Sequence, residues 1–286
     1  MLRACIDVGS NTTRLLVAEV AGEALEPRLN ERAFTRLGGA IENGVIPAPK
    51  VRETAEVVAA YAALARERGC AEVVVVATAA VREASNREQL VREIDALAGV
   101  SVRVLSGVEE ARLAFAGATS TLAGEGETPL LVVDVGGGST EVVVGTAVAG
   151  AGWCTSLAIG SGSLADGLLR SDPPREAELR AVRRRVAEAL SGLDPPPAGR
   201  AFAVGGSATS LARLVGGELG AAQLDAALSA LVADPLDVVA RRLDLDPERV
   251  RLLRAGVPLL DGLSRRIGLP LEIGSGGLRE GAVLHL

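Results

Sequence analysis

Aromatic side chains make up 2% of the 286 residues, and histidine and lysine occur once each. Each scarcity removes a class of function. With so few rings the core must be assembled from Val, Leu, Ile and Ala, and the stacking platforms that hold single-stranded nucleic acid are missing. The one histidine, His285, is the penultimate residue, a position where side chains are usually solvated; histidine-based catalysis and histidine-ligated zinc are therefore excluded. The one lysine, Lys50, follows Pro-Ala-Pro with no glycines before it, whereas a P-loop needs its lysine directly after the glycines. Cys5, Cys70 and Cys154 are odd in number and far apart, so they form neither a disulfide framework nor a metal-ligand spacing.

Positive charge is also short. The net charge of −6 argues against non-specific binding to DNA or acidic membranes. A polyanionic substrate would have to be met locally, by backbone amides, arginines and metal ions. No apolar run reaches the length of a membrane span, and the opening Met-Leu-Arg-Ala-Cys-Ile-Asp enters a strand at once, without the build of a secretion signal. The expectation is a cytoplasmic protein with no nucleic-acid or membrane partner.

What is present is a large aliphatic core: 48% hydrophobic and 23% charged residues, enough for one large or two ordinary domains. Residues 3–9 and 14–20 read as two strands joined by a tight polar turn. Good helix formers cover 50–68, and a β-branched run follows at Val73–Val76. Ser85 with Glu88 three places on predicts a capping box for a helix over 86–98. A strand at 102–105 and a helix over 108–118 come next, then a Gly/Glu/Thr loop over 122–129 that predicts the domain junction. The second half opens with a strand at 130–134; Asp172-Pro173-Pro174 predicts the cap and start of a helix over 174–190, 201–204 a strand, and 221–268 helices throughout. Strands with intervening helices give an α/β fold. The domains expected are 1–121, joined by a final helix over 278–286, and 122–277.

An internal repeat is the most informative feature. Ile6–Val17 aligns without a gap on Val133–Val144, an offset of 127 residues, about one domain length, with aspartate, glycine, threonine and apolar positions coinciding. The pattern points to two domains of like topology, each with a hairpin whose turn is made of small residues. Such a turn lets backbone amides converge on an anion: Gly9, Ser10, Asn11 and Thr12 in the first, Gly136, Gly137, Gly138 and Ser139 in the second. Three glycines inside an apolar strand pattern weaken it, and close approach of a phosphate supplies a reason for them. Asp7 and Asp134 precede the turns and Glu141 follows the second, carboxylates of the kind Mg²⁺ takes beside phosphate oxygens; capping of the turn is the structural alternative for the aspartates. Glu109 and Glu110 begin a helix, where acids also complement the helix dipole. Arg82 is either a surface charge or a phosphate ligand, and Gly205-Gly206-Ser207 follows a strand and opens a helix that could take an anion or a ribose.

At these residues the sequence resembles the exopolyphosphatase and guanosine pentaphosphate phosphohydrolase family, of the actin-like ATPase superfamily. The segments that carry the resemblance are IDVGSNTTRLLV, RLGGAIENG, VVATAAVREASN, LSGVEEARLAFAG, LVVDVGGGSTEVVVG, AVGGSATSLA and GLREGAVL, in the family's order along the whole chain. The resemblance implies two actin-like (ribonuclease H-like) domains with the active site in the cleft between them. It further implies Glu110 as catalytic base and Glu141 as second essential carboxylate, with Asp134, Glu141 and Asp7 towards the metal. Arg82 and the two turns would be phosphate contacts, and Gly205, Gly206 and Ser207 a nucleotide or substrate contact. The implied cofactor is Mg²⁺, with K⁺ as a second candidate. The implied substrate is polyphosphate or guanosine pentaphosphate, and the implied oligomer a homodimer. A kinase or ATPase of the superfamily and a non-catalytic sensor are the alternatives. The chain departs from the family at Arg251, where an aspartate is common, and at Ser275, where many relatives have an acid; the resemblance is to the short form, and the expectation is a member without the C-terminal helical domain of long ones.

Overall fold

The computed structural model describes residues 1–22, 24–120, 122 and 126–285. In chain order its elements are β1 (Leu2–Val8), β2 (Thr13–Ala21), β3 (Ala24–Ala33), α1 (Leu37–Ala40), α2 (Ala48–Glu67), β4 (Glu72–Ala77), α3 (Ala79–Glu83), α4 (Arg87–Ala98), β5 (Val102–Val104) and α5 (Gly107–Thr119). There follow β6 (Leu130–Val135), β7 (Thr140–Thr146), β8 (Gly150–Leu157), α6 (Ser161–Leu168), α7 (Glu176–Leu190), β9 (Arg200–Val204), α8 (Gly205–Val215), β10 (Glu218–Leu219), α9 (Ala221–Val232), α10 (Leu236–Leu243), α11 (Pro247–Ile267), β11 (Leu271–Ile273) and α12 (Leu278–His285). They form two compact units, Met1–Gly124 with Gly276–Leu286, and Glu125–Ser275. Residues 123–125 of the predicted junction loop lie outside the described residues, as does Leu286 of the predicted final helix.

The first unit is a five-stranded sheet in the order β3-β2-β1-β4-β5, with β1 antiparallel to β2 and parallel to β4. Because side chains alternate across a strand, Ala4, Ile6 and Val8 face one core with Val58 and Leu90, on α2 and α4. Cys5 faces the other with Leu113 of α5 and Ala282 of α12. By the same alternation Asp7 lies on the α5/α12 face. The two helices meet through glycine: a Cβ on Gly117 would overlap the Gly277 carbonyl, and one on Gly281 the Leu113 carbonyl.

The second unit is a six-stranded sheet in the order β10-β11-β9-β6-β7-β8. Read from β8, it repeats the first sheet: two antiparallel hairpin partners, then a parallel strand beside the first, β6 with β9 as β1 with β4. One core holds Leu131, Val133 and Val135 of β6 against residues of α6, α7, α8, α9 and α11. Asp134 and Glu141 alternate to the opposite face.

Two predicted caps form differently. The helix after Ser85 is capped from Asn86 without a side-chain bond, and Ser85 Oγ donates to the Gly44 carbonyl at 3.0 Å. The capping box lies instead at the start of α5, where Ser106 accepts from the Glu109 amide and Glu109 accepts from the Ser106 amide. Asp172 does not begin the next helix: α7 starts at Glu176, and Glu178 accepts the Arg170, Ser171 and Arg175 amides. The physical reason is that Pro174 has no N–H to give an N-cap aspartate at 172, and the other possible donor, the Arg175 amide, is taken by Glu178. Asp172 accepts from the Leu236 amide and from Arg254 instead.

Candidate functional site

The two hairpins of the repeat close with the same bond. Gly9 N donates to the Thr12 carbonyl and Gly136 N to the Ser139 carbonyl, each at 3.0 Å. In both, a Cβ on the glycine would come to 3.0 Å of that acceptor, tighter than a side chain usually tolerates. The cross-strand pairs correspond as well: Asp7 faces Arg14 on β2, and Asp134 faces Glu141 on β7.

A second layer fixes which way each turn points. The Ser10 carbonyl accepts from Gly38 N at 2.7 Å and the Asn11 carbonyl from Arg36 N at 3.0 Å. In the second unit the Gly136 carbonyl accepts from Ser161 N and the Gly137 carbonyl from Ser163 N, both at 2.9 Å, with Ser161 Oγ adding a bond to Gly136. Carbonyls tied down from behind leave the turn amides aimed the other way, the geometry of an anion nest. Gly160 is required for this fit, since its Cβ would fall 2.5 Å from the Gly137 carbonyl group. Residues 160–163, alternating Gly and Ser, form the cap and first residues of α6, a pattern visible in the sequence.

Glu110 is 7% exposed and sits one residue past the capping box on α5. Arg82 Nη1 donates to Glu110 Oε2 at 2.9 Å and to the Leu105 carbonyl at 3.0 Å. Its neighbour Glu109 is held elsewhere: Arg103 and the Ser106 amide and hydroxyl hold its carboxyl down at about 2. The two acids thus divide, one capping the helix at the surface and one buried against an arginine.

Glu141 is 2% exposed and accepts from Ser156 Oγ at 2.7 Å, across the β7–β8 pairing. No sequence signal marks Ser156, because only the strand register brings it to Glu141. Asp134 lies against Gly205, whose φ of +84° and lack of a Cβ make room for the carboxylate. A Cβ on Gly206 would come to 2.7 Å of the Arg249 guanidinium, and Ser207 is buried. Packing against Asp134 and Arg249 therefore accounts for both glycines.

Asp7 is raised to about 6, first by burial, against the pull of Arg279 and Arg14 and with a further push from Glu280. Its Oδ1 is enclosed and has no hydrogen-bond partner. An orphaned hard oxygen of this kind fits a cation, as do the carboxylates of Asp134 and Glu141. Among the described residues no three acid, cysteine or histidine groups form a cluster that could hold an ion alone, so substrate oxygens and water would complete the shell, as is usual for Mg²⁺. Arg251 and Ser275, the two departures, belong to the second unit; Arg251 pairs with Glu248 and Asp166.

Two like-wound sheets, each with a phosphate-type turn between its first two strands, define the actin-like class of α/β proteins. Within it, the model of the Ppx/GppA phosphatase family matches residues 16–286, and the chain belongs to that family. Exopolyphosphatase 1 of Mycobacterium leprae is 30% identical over 306 aligned residues, covering 98% of this chain and 88% of that one. Exopolyphosphatase 2 of Mycobacterium tuberculosis is 36% identical over 197 residues, 65% of this chain, and the match spans 61% of that relative's length. The structure of the Ppx/GppA enzyme of Aquifex aeolicus superposes with a TM-score of 0.81 at 28% identity, covering 100% of this chain and 99% of that one. No helix among the described residues is long and apolar enough to cross a membrane.

Proposed function

We propose that the protein is an exopolyphosphatase that removes the terminal phosphate of inorganic polyphosphate, with guanosine pentaphosphate as a second substrate to be tested. The observation that carries the reading is the pairing of the buried Glu110 with Arg82 at 2.9 Å, in the same unit as the first turn, in a chain whose relatives are named exopolyphosphatases.

Phosphoryl transfer asks a protein for positioning and charge stabilisation more than for covalent chemistry. The first unit supplies the amides of Asn11 and Thr12, with Arg82 and Glu110; the second supplies those of Gly137 and Gly138, with Asp134 and Glu141. A water oxygen attacks the terminal phosphorus in line while Glu110 takes its proton. The P–O bond to the penultimate phosphate breaks, and the shortened chain leaves as the anion with its electron pair. Asp134 and Glu141, the latter oriented by Ser156, would hold Mg²⁺, which supplies neutralisation of charge on phosphate oxygens; Asp7, in the first unit, is a further candidate carboxylate. Without a cation the carboxylates of Asp134 and Glu141 would repel a polyanion, so the metal is expected to be obligatory.

The test is phosphate release from long-chain polyphosphate, short-chain polyphosphate and guanosine pentaphosphate, each with Mg²⁺. Release from a polyphosphate supports the reading and ranks the substrates. Tight binding without release from any of the three would make the protein a sensor, and release only on transfer to an acceptor would make it a kinase.

A further inference from the structure

Arg82 uses only one of its three nitrogens on the protein. Nη1 gives one proton to the Leu105 carbonyl and one to Glu110 Oε2. Arg82 forms no other side-chain hydrogen bond among the described residues, so the Nε/Nη2 edge, the edge that matches two oxygens of a phosphate or carboxylate, is uncommitted. The anchors are rigid. Leu105 is fully buried, and the Arg82 amide donates to the Thr78 carbonyl at 2.9 Å, fixing the short α3 that carries it. The Glu110 side chain is 9% exposed and that of Arg82 22%, so the guanidinium reaches solvent while the carboxylate behind it does not.

We propose that Arg82, already a candidate phosphate contact, is also a positioning residue for Glu110: one planar guanidinium holds the base on Nη1 and the terminal phosphoryl group on Nε/Nη2. Because the plane is stiff, it sets the spacing between the carboxylate that takes the proton and the phosphorus that is attacked. A lysine at 82 could neutralise either partner but could not hold both, since an ammonium lacks the fixed fork. The proposal rests on the reading of Glu110 as the base.

The experiment compares Arg82→Lys, Arg82→Ala, Glu110→Gln and the double variant Arg82→Ala/Glu110→Gln by steady-state hydrolysis of long-chain polyphosphate with Mg²⁺, and by calorimetric binding of inorganic phosphate. Circular dichroism confirms the fold of each. Misplacement of a catalytic group costs on the order of 100-fold, so Arg82→Lys is expected to lose about that much kcat while KM and phosphate affinity change by only about threefold. Arg82→Ala is expected to lose both kcat and affinity. Guanidinium ion at low millimolar concentration restores part of the kcat of Arg82→Ala, more than methylammonium does, and restores nothing in the double variant. Wild-type kcat at saturating substrate in Arg82→Lys and Arg82→Ala, with the whole loss in KM, would overturn the proposal and leave Arg82 a phosphate ligand only. Wild-type turnover by Glu110→Gln is a separate result, which would remove the base itself.

Discussion

At the scale of single residues, Asp7 carries the clearest pH signature. Its folded value of about 6 lies above its ordinary value of 3.8, so between those values the native state binds the proton that the unfolded chain releases. Its contribution to stability is therefore complete below about pH 4 and is lost as pH rises through about 6, an effect on the order of 2–3 kcal/mol. Asp7→Asn is expected to match the wild-type urea midpoint at pH 4, to exceed it at pH 7, and to lose Mg²⁺-dependent hydrolysis. Equal midpoints for the two proteins at both pH values would show that burial does not penalise the Asp7 carboxylate. Ser106 makes the second residue-scale prediction. Ser106→Ala removes the hydroxyl half of the α5 capping box and is expected to cost about 1 kcal/mol in the same assay, while Glu110 stays in place through Arg82.

At the scale of elements, the second turn depends on the helix behind it. Gly160→Val would drive a side chain into the Gly137 carbonyl group, 2.5 Å from where its Cβ would lie. The backbone must move, and the carbonyls that Ser161 and Ser163 tie down move with it. The expected outcome is a loss of hydrolysis of about 100-fold with most of the folded stability kept, read by phosphate release and thermal melting; unchanged turnover would show that the turn does not need this support. The hairpins themselves were legible in the sequence because the repeat preserves their small residues, and the Gly9–Thr12 and Gly136–Ser139 bonds are of equal length. The third strand of the first sheet was not legible. Ala24–Ala33 is mostly exposed, carries Pro27 and offers no apolar alternation, and it takes a sheet edge where proline is tolerated. The misplaced caps have a similar origin: Ser85 and Asp172 are cap-type residues whose side chains found carbonyl and amide partners far along the chain, at Gly44 and Leu236.

At the scale of the whole molecule, each unit carries its own aspartate and small-residue turn at the end of the first strand of its sheet. The aspartates that end β1 and β6 occupy the same place in like sheets, but the pairing residue differs, Arg14 in one and Glu141 in the other. That difference sets an arginine opposite the aspartate in one unit and a second carboxylate opposite it in the other, a division already visible in the aligned repeat. Ser156 and Leu105 were beyond reach of the sequence as site residues, because only register and packing bring them to Glu141 and Arg82; residues 160–163 carry a visible Gly/Ser pattern, but only packing brings it to the second turn. The measurement that bears most directly on the account is release of phosphate from long-chain polyphosphate with Mg²⁺ by the wild-type chain and by Glu110→Gln. The account predicts turnover by the wild type and a loss of at least about 1,000-fold in the folded variant, within the range that acid–base catalysis supplies. Wild-type turnover by Glu110→Gln would contradict it.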